Sequence, residues 1–299
     1  MQTLQDNHLG DRLTLRAVGR TLKIDSLPTA GNYGNVLVKI VDRAGGELFR
    51  EIRPKGPGML FDPALPAPGE YGLCLYAGPV EDNTYHGLYC SEAGIPMTFD
   101  GRGLSFKPSP FAISNGCFMQ ALPVSGEFLT EALAPTVNIQ CRDTRIRALA
   151  AEIRKGRIFK ESILVGVHDW VAKNVSYDYD ALAEGLIDDV HGAVDVLIRR
   201  RSVCCGYHNL TAALLRACGI PAVGIACCSL LHGTQKSDHI MTAAFAGRRW
   251  HLMDVTWDSD LDYRHGKVSA KTGMGLSHSY CDATLPFISL THRFDDYEF

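Results

Sequence analysis

Between Ser202 and Asp258 lie three short stretches: Ser202-Val203-Cys204-Cys205-Gly206-Tyr207, Asp238-His239 and Met253-Asp254-Val255-Thr256-Trp257-Asp258. They supply a thiol, an imidazole and a carboxylate in chain order, 35 residues from Cys204 to His239 and 15 from His239 to Asp254. A thiol is a strong nucleophile only as thiolate, which needs a base or a cationic neighbour. A histidine serves best when an acceptor holds its ring in one tautomer. A fold that uses all three must bring a helix start and two strands to one point. The pattern points to thiol-dependent acyl transfer.

The local patterns place the three groups accordingly. Cys205 to Cys218 reads as a helix with Leu210, Ala213, Leu214 and Ala217 as its apolar stripe, stopped by Gly219 and Pro221. Cys204 stands at its start, where unpaired backbone N–H groups and the helix dipole favour a thiolate. Strand-like runs follow at Ala222–Cys228, Ile240–Phe245 and Trp250–Thr256, with a hairpin turn at Gly247-Arg248 between the last two. His239 is expected to open the second run, and Asp254 to lie on or at the end of the third. Upstream, Arg145–Lys155 and Lys160–Asn174 read as helices. Ile163, Val167, Trp170 and Val171 share one face of the second, with Trp170 turned to the sheet.

The first third reads as β. Leu13–Val18, Val36–Val41 and Tyr71–Tyr76 are strand-forming runs, separated by turn signals at Ala30-Gly31-Asn32, Ala44-Gly45-Gly46 and Pro66–Gly69. Their rhythm suggests a β-sandwich of immunoglobulin-like architecture over residues 1–115. The Gly- and Pro-rich stretch 94–110, with a hairpin at Asp100–Gly103, leads to a boundary near residue 115. A second domain, 116–299, follows. The expected class is α+β.

Composition removes several functions. A net charge of −3 gives no reason to expect nucleic acid or an anionic membrane as partner. Arg199-Arg200-Arg201 reads as a solvated loop rather than a phosphate site. No apolar run approaches the ~18 residues of a membrane span, and the first residues carry no secretory signal, so a cytoplasmic location is expected. The ten cysteines include no Cys-x-x-Cys pair, which argues against a zinc ribbon and against a thiol-redox protein. Most read as small buried apolar residues.

The segment Ser-Val-Cys-Cys-Gly-Tyr, the helix after it and Gly-Ile-Pro resemble the nucleophile region of the bacterial transglutaminase-like proteins, within the papain-like cysteine enzyme superfamily. His239, Trp250 and Asp254–Asp258 resemble that family's later motifs. His168-Asp169-Trp170 to Tyr177-Asp178 resembles its helix and Tyr-Asp end, and Pro286 to Arg293, with Thr291-His292-Arg293, its tail. The resemblance covers residues 145 to 299. It implies helices packed on an antiparallel sheet and assigns Cys204 as nucleophile, His239 as general base and acid, and Asp254 as orienting carboxylate. Cys204 is preferred to Cys205 only on the resemblance, because it lies two residues before the Gly. Ile240, Met241 and Cys205 depart from the family pattern beside the reacting atoms. The long acidic calcium loops of animal transglutaminases have no counterpart, so no cofactor and no metal are expected.

Each residue also has a plainer reading. A lone cysteine is usually core, His239 could simply be satisfied by Asp238, and Asp254 could cap a turn. His208, Asp258, Asp260 and Asp262 read as solvated or structural; Trp250 and Trp257 read as core. A side chain should complete the oxyanion hole; Tyr177 and His191 are candidates and neither is preferred. The expected function is cysteine-dependent acyl transfer on peptide or glutamine carboxamide bonds, by hydrolysis or transamidation, with a protein or peptide substrate. The competing reading is an inactive module of the same fold that binds protein or cell-wall ligands.

Overall fold

A computed structural model describes residues 1–28, 33–78, 84–88, 94–185, 191–231 and 234–299, with the backbone alone for 231 and 234–237. The expected turn at Ala30-Gly31-Asn32 lies outside the described residues. The protein is α+β with several largely antiparallel sheets. No described helix is long and apolar enough to cross a membrane.

Among the described residues the N-terminal part forms two sheets. One contains β1 (Gln2–Gln5), β2 (Thr14–Val18), β3 (Thr21–Ser26) and β6 (Met59–Phe61). The other contains β4 (Asn35–Val41), β5 (Glu47–Pro54), β7 (Gly69–Gly78), β8 (His86–Gly87), β9 (Ile95–Phe99) and β10 (Leu104–Phe106). The expected hairpin forms between β9 and β10, where Asp100 Oδ1 accepts the N–H groups of Arg102 and Gly103. Helices α1 (Ala112–Ala121) and α2 (Gly126–Glu131) follow. Residue 115 therefore falls inside a helix. Asn115 is fully buried, donates to Ser289 Oγ and to the His292 carbonyl, and accepts from the Phe294 N–H.

The C-terminal part begins with α3 (Thr144–Arg154) and α4 (Lys160–Asn174), where helical periodicity predicted them. Then come β11 (Ser176–Asp178), α5 (Tyr179–Glu184), α6 (Ala193–Arg199), β12 (Arg201–Ser202) and α7 (Cys204–Ala217). After α7 the chain forms β13 (Ala222–Leu231), β14 (Thr234–Ala246), β15 (Arg249–Met253) and α8 (Val255–Asp258). It ends with β16 (Leu261–Arg264), β17 (Lys267–Ala270), α9 (Leu285–Ile288) and β18 (His292–Glu298). The central sheet is antiparallel in the order β15-β14-β13-β18. A smaller mixed sheet runs β12-β11-β16-β17.

Two apolar clusters cover the two faces of the central sheet. Ala222, Ala244 and Ala246 face helices α3, α4, α6 and α7, together with Leu210, Leu214 and Val167. Val223, Ile225, Met241 and Ala243 face the other way. They join a cluster that runs through α2 and Phe294 into both N-terminal sheets. Small side chains on the helix side let α7 lie close against β13 and β14. The stripe on α7 is broader than its periodicity implied, since His208, Asn209 and Thr211 are buried too. The two parts also share backbone hydrogen bonds: Asn7 pairs with Ala283, and the His8 N–H donates to the Asp282 carbonyl.

Three local expectations are corrected. The Trp250–Thr256 run stops as a strand at Met253, because Asp254 caps a helical turn by accepting the Trp257 N–H. His239 does not open its strand; β14 begins five residues earlier and His239 lies within it, opposite Cys227. The three arginines are solvent-facing as expected, with Arg199 and Arg200 exposed and Arg201 half-buried, but they do not form a loop. Arg199 ends α6, the Arg200 guanidinium covers the half-buried Trp170 at 4.4 Å from its centroid, and Arg201 lies over Tyr263 at 4.0 Å. Trp170 thus turns its ring partly to that cation.

Candidate active site

Cys204 is the first residue of α7. Val203 before it has extended backbone and no side-chain cap hydrogen bond, so the N-cap residue claims none of the first N–H groups of the helix. Gly206 is needed for packing. A Cβ there would lie 2.0 Å from Ser202 Oγ and 2.8 Å from Val196, so only glycine lets α7 start this close to β12 and α6. Tyr207 is buried and donates its hydroxyl to the Val175 carbonyl at 2.6 Å, which ties α7 to the end of α4. The Cys-x-Gly-Tyr spacing thus positions the thiol by one close approach and one buried anchor.

The structure brings Cys204, His239 and Asp254 together. His239 is hydrogen-bonded to the Cys204 thiol. Its Nε2 lies 2.7 Å from Asp254 Oδ2, which leaves Nδ1 for the sulfur. Asp254 is fully buried at the cap of α8 and gathers several donors. Oδ2 also accepts from His292 Nε2 at 3.0 Å, and Oδ1 accepts the Trp257 N–H at 3.1 Å. A buried carboxylate is tolerated when it is so bonded.

The electrostatics favour a charged pair. Burial opposes the Cys204 thiolate, but the hydrogen bond and positive charge of His239 outweigh burial and hold the thiol below its ordinary range. Burial likewise opposes the His239 imidazolium. The Asp254 carboxylate and the Cys204 thiolate overcome it, and the ring is pushed up to about 10. Asp254 would be raised by burial, yet His239 and His292 hold it well below the usual carboxylate range. Neighbouring Cys205 is different. Burial, and then the Cys204 charge, push it up to about 12, so near neutral pH it stays a thiol. The structure thereby separates the two cysteines where residue chemistry alone could not.

His292 is the residue that sequence reasoning left without a role. It opens β18, is completely buried, and is held toward its neutral form chiefly by burial. As a neutral ring it donates Nε2–H to Asp254 and accepts at Nδ1 from Thr291 Oγ1, 2.9 Å away. Trp257 packs on it with centroids 4.7 Å apart. The Thr291-His292-Arg293 tail was the signal that could have pointed to it.

Cys204 and His239 open onto a cleft of about 710 Å³. Tyr177, Tyr179, Leu182 and Trp257 give it apolar and aromatic walls, and Asp238 and Glu298 give it acidic ones. Cys205 and Ile240, both departures from the family pattern, line it as well. Trp257 is half-buried there rather than wholly core, whereas Trp250 is buried against Phe128 and Phe245. Of the two oxyanion candidates, Tyr177 lines the cleft. His191 is buried elsewhere, with Nδ1 against Ser202 Oγ at 2.8 Å. His208, Asp258, Asp260 and Asp262 are all buried and structural, not solvated; His208 Nδ1 bonds Thr242 Oγ1 at 2.9 Å. Among the described residues, two groups of side chains have donor atoms close enough to share a metal ion: His239, Asp254 and His292, and separately His168, Asp169 and His278.

Residues 147–255 match the model of the transglutaminase-like superfamily. Over 99 residues the chain is 29% identical to the kyphoscoliosis peptidase of Mus musculus and 28% identical to that of Homo sapiens. Each match covers 31% of this chain and 15% of the relative, so the chain spans a small part of the length of these relatives. Among solved structures it is similar to red sea bream transglutaminase, at 11% identity, 81% of this chain, 48% of that chain and a TM-score of 0.33. A structure described as a TGase matches at 16% identity, 55% of this chain, 44% of that chain and a TM-score of 0.31. Scores this low do not bear on the fold.

Proposed function

We propose that this chain, whose residues 147–255 match the transglutaminase-like superfamily, is a cysteine-dependent acyl-transfer enzyme with Cys204, His239 and Asp254 as its triad. The observation that carries the reading is the unbroken chain of hydrogen bonds from the thiol through His239 to the buried Asp254, at the edge of an open cleft. The Cys204 thiolate attacks the carbonyl carbon of a peptide or glutamine carboxamide. A C–S bond forms and the carbonyl electrons move to oxygen, which the backbone N–H of Cys204 at the helix start can receive. Collapse breaks the C–N bond while the His239 imidazolium gives its proton to the leaving amine, leaving a thioester and neutral imidazole. Water or a second amine, deprotonated by His239, then attacks the thioester and releases the thiolate. Asp254 keeps the ring oriented and stabilises its charged form. Water as acceptor gives a peptidase or amidase; an amine gives a transglutaminase.

The two N-terminal sheets belong, in this reading, to a β-sandwich unit that ends close to residue 115 and precedes the catalytic unit. A protein or peptide is the proposed substrate, since the cleft is large and its walls are aromatic and apolar.

The test is Cys204 alkylation by iodoacetamide against pH, read by mass spectrometry, with His239→Ala as comparison. Labelling that is fast well below the ordinary thiol value of about 8.5, and is lost in the variant, supports the pair and justifies screening glutamine peptides with and without an amine. Labelling that follows an ordinary thiol titration in both proteins overturns it.

A further inference from the structure

On the far side of α8 from Asp254 lies the second group of donors. His168 is wholly buried on α4, and its neighbour Asp169 is partly open to solvent. His278 comes from the segment before Tyr280, 109 residues away in sequence. Asp169 Oδ1 lies 2.7 Å from His278 Nε2 and 3.2 Å from His168 Nδ1, and the three donor atoms are all within 4.8 Å of one another. We propose that His168, Asp169 and His278 form a divalent-metal site, suited to zinc, that ties the segment before Tyr280 to α4. The proposal is independent of the activity proposed for Cys204.

Five observations carry it. Two imidazoles and one carboxylate are a borderline donor set of the kind zinc takes, at about 2.0–2.2 Å from each atom. Donors 2.7 and 3.2 Å apart as hydrogen-bond partners need to open by well under an ångström to share a tetrahedral ion at that distance. The second nitrogen of His168 is already held as metal-bound histidines usually are, since its Nε2 bonds the buried Asp258 carboxylate at 2.9 Å. Asp258 Oδ2 also accepts the Tyr280 N–H, while its Oδ1 is buried with no hydrogen-bond partner among the described residues. Two carboxylates thus meet in a largely buried place, and Lys173, 3.7 Å from Asp169 Oδ2, is itself exposed. Finally, bare backbone closes the site: a Cβ at Gly10 would lie 2.3 Å from His278 Cβ, so the N-terminal segment packs directly on that side chain. Binding would replace the proton between each ring nitrogen and Asp169, and those protons would leave to solvent.

The experiment is metal uptake by the intact chain. Protein stripped with a chelator is dialysed against zinc sulfate, and the metal per chain is measured by mass spectrometry alongside Tm. One equivalent and a raised Tm are expected in the wild type. The same is expected in His239→Ala, which dismantles the other His–Asp–His group. Uptake should fall at least tenfold in His278→Gln and in Asp169→Asn, each checked for a native circular dichroism spectrum. No uptake by the wild type with an unmoved Tm would leave a hydrogen-bonded cluster only and overturn the site. So would undiminished uptake in both folded variants, or loss of uptake in His239→Ala.

Discussion

A single helical turn, α8, separates two clusters of the same chemical make-up. At its cap, Asp254 bonds His239, which bonds the Cys204 thiol. At its end, Asp258 bonds His168, which bonds the Cys281 thiol. Each holds a cysteine, a histidine and an aspartate, with imidazole–carboxylate distances of 2.7 and 2.9 Å. The surroundings differ. Cys204 begins a helix and lines a cleft, and its histidine outweighs burial to lower its pKa. Cys281 is entirely buried, and burial outweighs its histidine and raises the pKa. A triad of residue types is therefore not a catalytic triad. The thiol must also reach a substrate and sit where backbone N–H groups can receive an oxyanion.

The sharpest way to break that contrast is to remove each sulfur. Cys204→Ala should lower turnover of a responsive substrate by about 10⁶-fold, while Cys281→Ala should leave turnover within a factor of a few and cost some stability. Equal losses would mean that the second cluster takes part in the chemistry. Next in size, Asp254→Asn should lower turnover by about 10⁴-fold. It should also move the alkylation profile. The lowered Cys204 pKa extends the thiolate to lower pH than an ordinary thiol allows, and it is lost as pH falls through the folded value; without the carboxylate that loss should begin at higher pH.

Asp258→Asn probes the structural end of the turn. It strips His168 of a buried partner, and breaking a buried pair costs about 3–5 kcal/mol. Urea unfolding should register that cost, while the folded variant keeps rapid Cys204 labelling. Loss of labelling without loss of stability would instead place Asp258 in the reaction. The smallest effect belongs to His292→Asn. A hydrogen bond to a charged group is worth about 1.5–3 kcal/mol, or about 10–100-fold in turnover. The low end is expected here, because Asp254 retains His239 and the Trp257 N–H. The checks are turnover and the alkylation profile together; a merely structural role would lower stability and leave the profile where it was.

Much of this was legible in the chain. The helices at 144–154, 160–174 and 204–217 follow from apolar residues at helical intervals, and the strands from short β-branched runs. The three proposed triad residues could be picked out, since each lies in a short motif. Other features were hidden for physical reasons. The turn at Val255–Asp258 reads as strand because Val and Thr favour strands, and the cap that Asp254 supplies overrides them. His292 lacked a role because its partner Asp254 is 38 residues away, and the fold alone closes that gap. The ring contacts of Arg200 and Arg201 were hidden because sequence does not show which aromatic faces will meet an exposed cation.

By itself, then, the sequence determined the types and order of the reacting groups and the local structure that carries them, because caps, periodicities and close-packing glycines act over a few residues. Tertiary structure decided which of two similar clusters has an accessible thiol. It placed Cys204, rather than Cys205, beside the His239 ring that lowers its pKa, and it brought His292 to Asp254 and His278 to Asp169. Those outcomes depend on burial, and on distances between residues far apart in the chain. Solvation and Coulomb interactions act through space, so no local pattern records them.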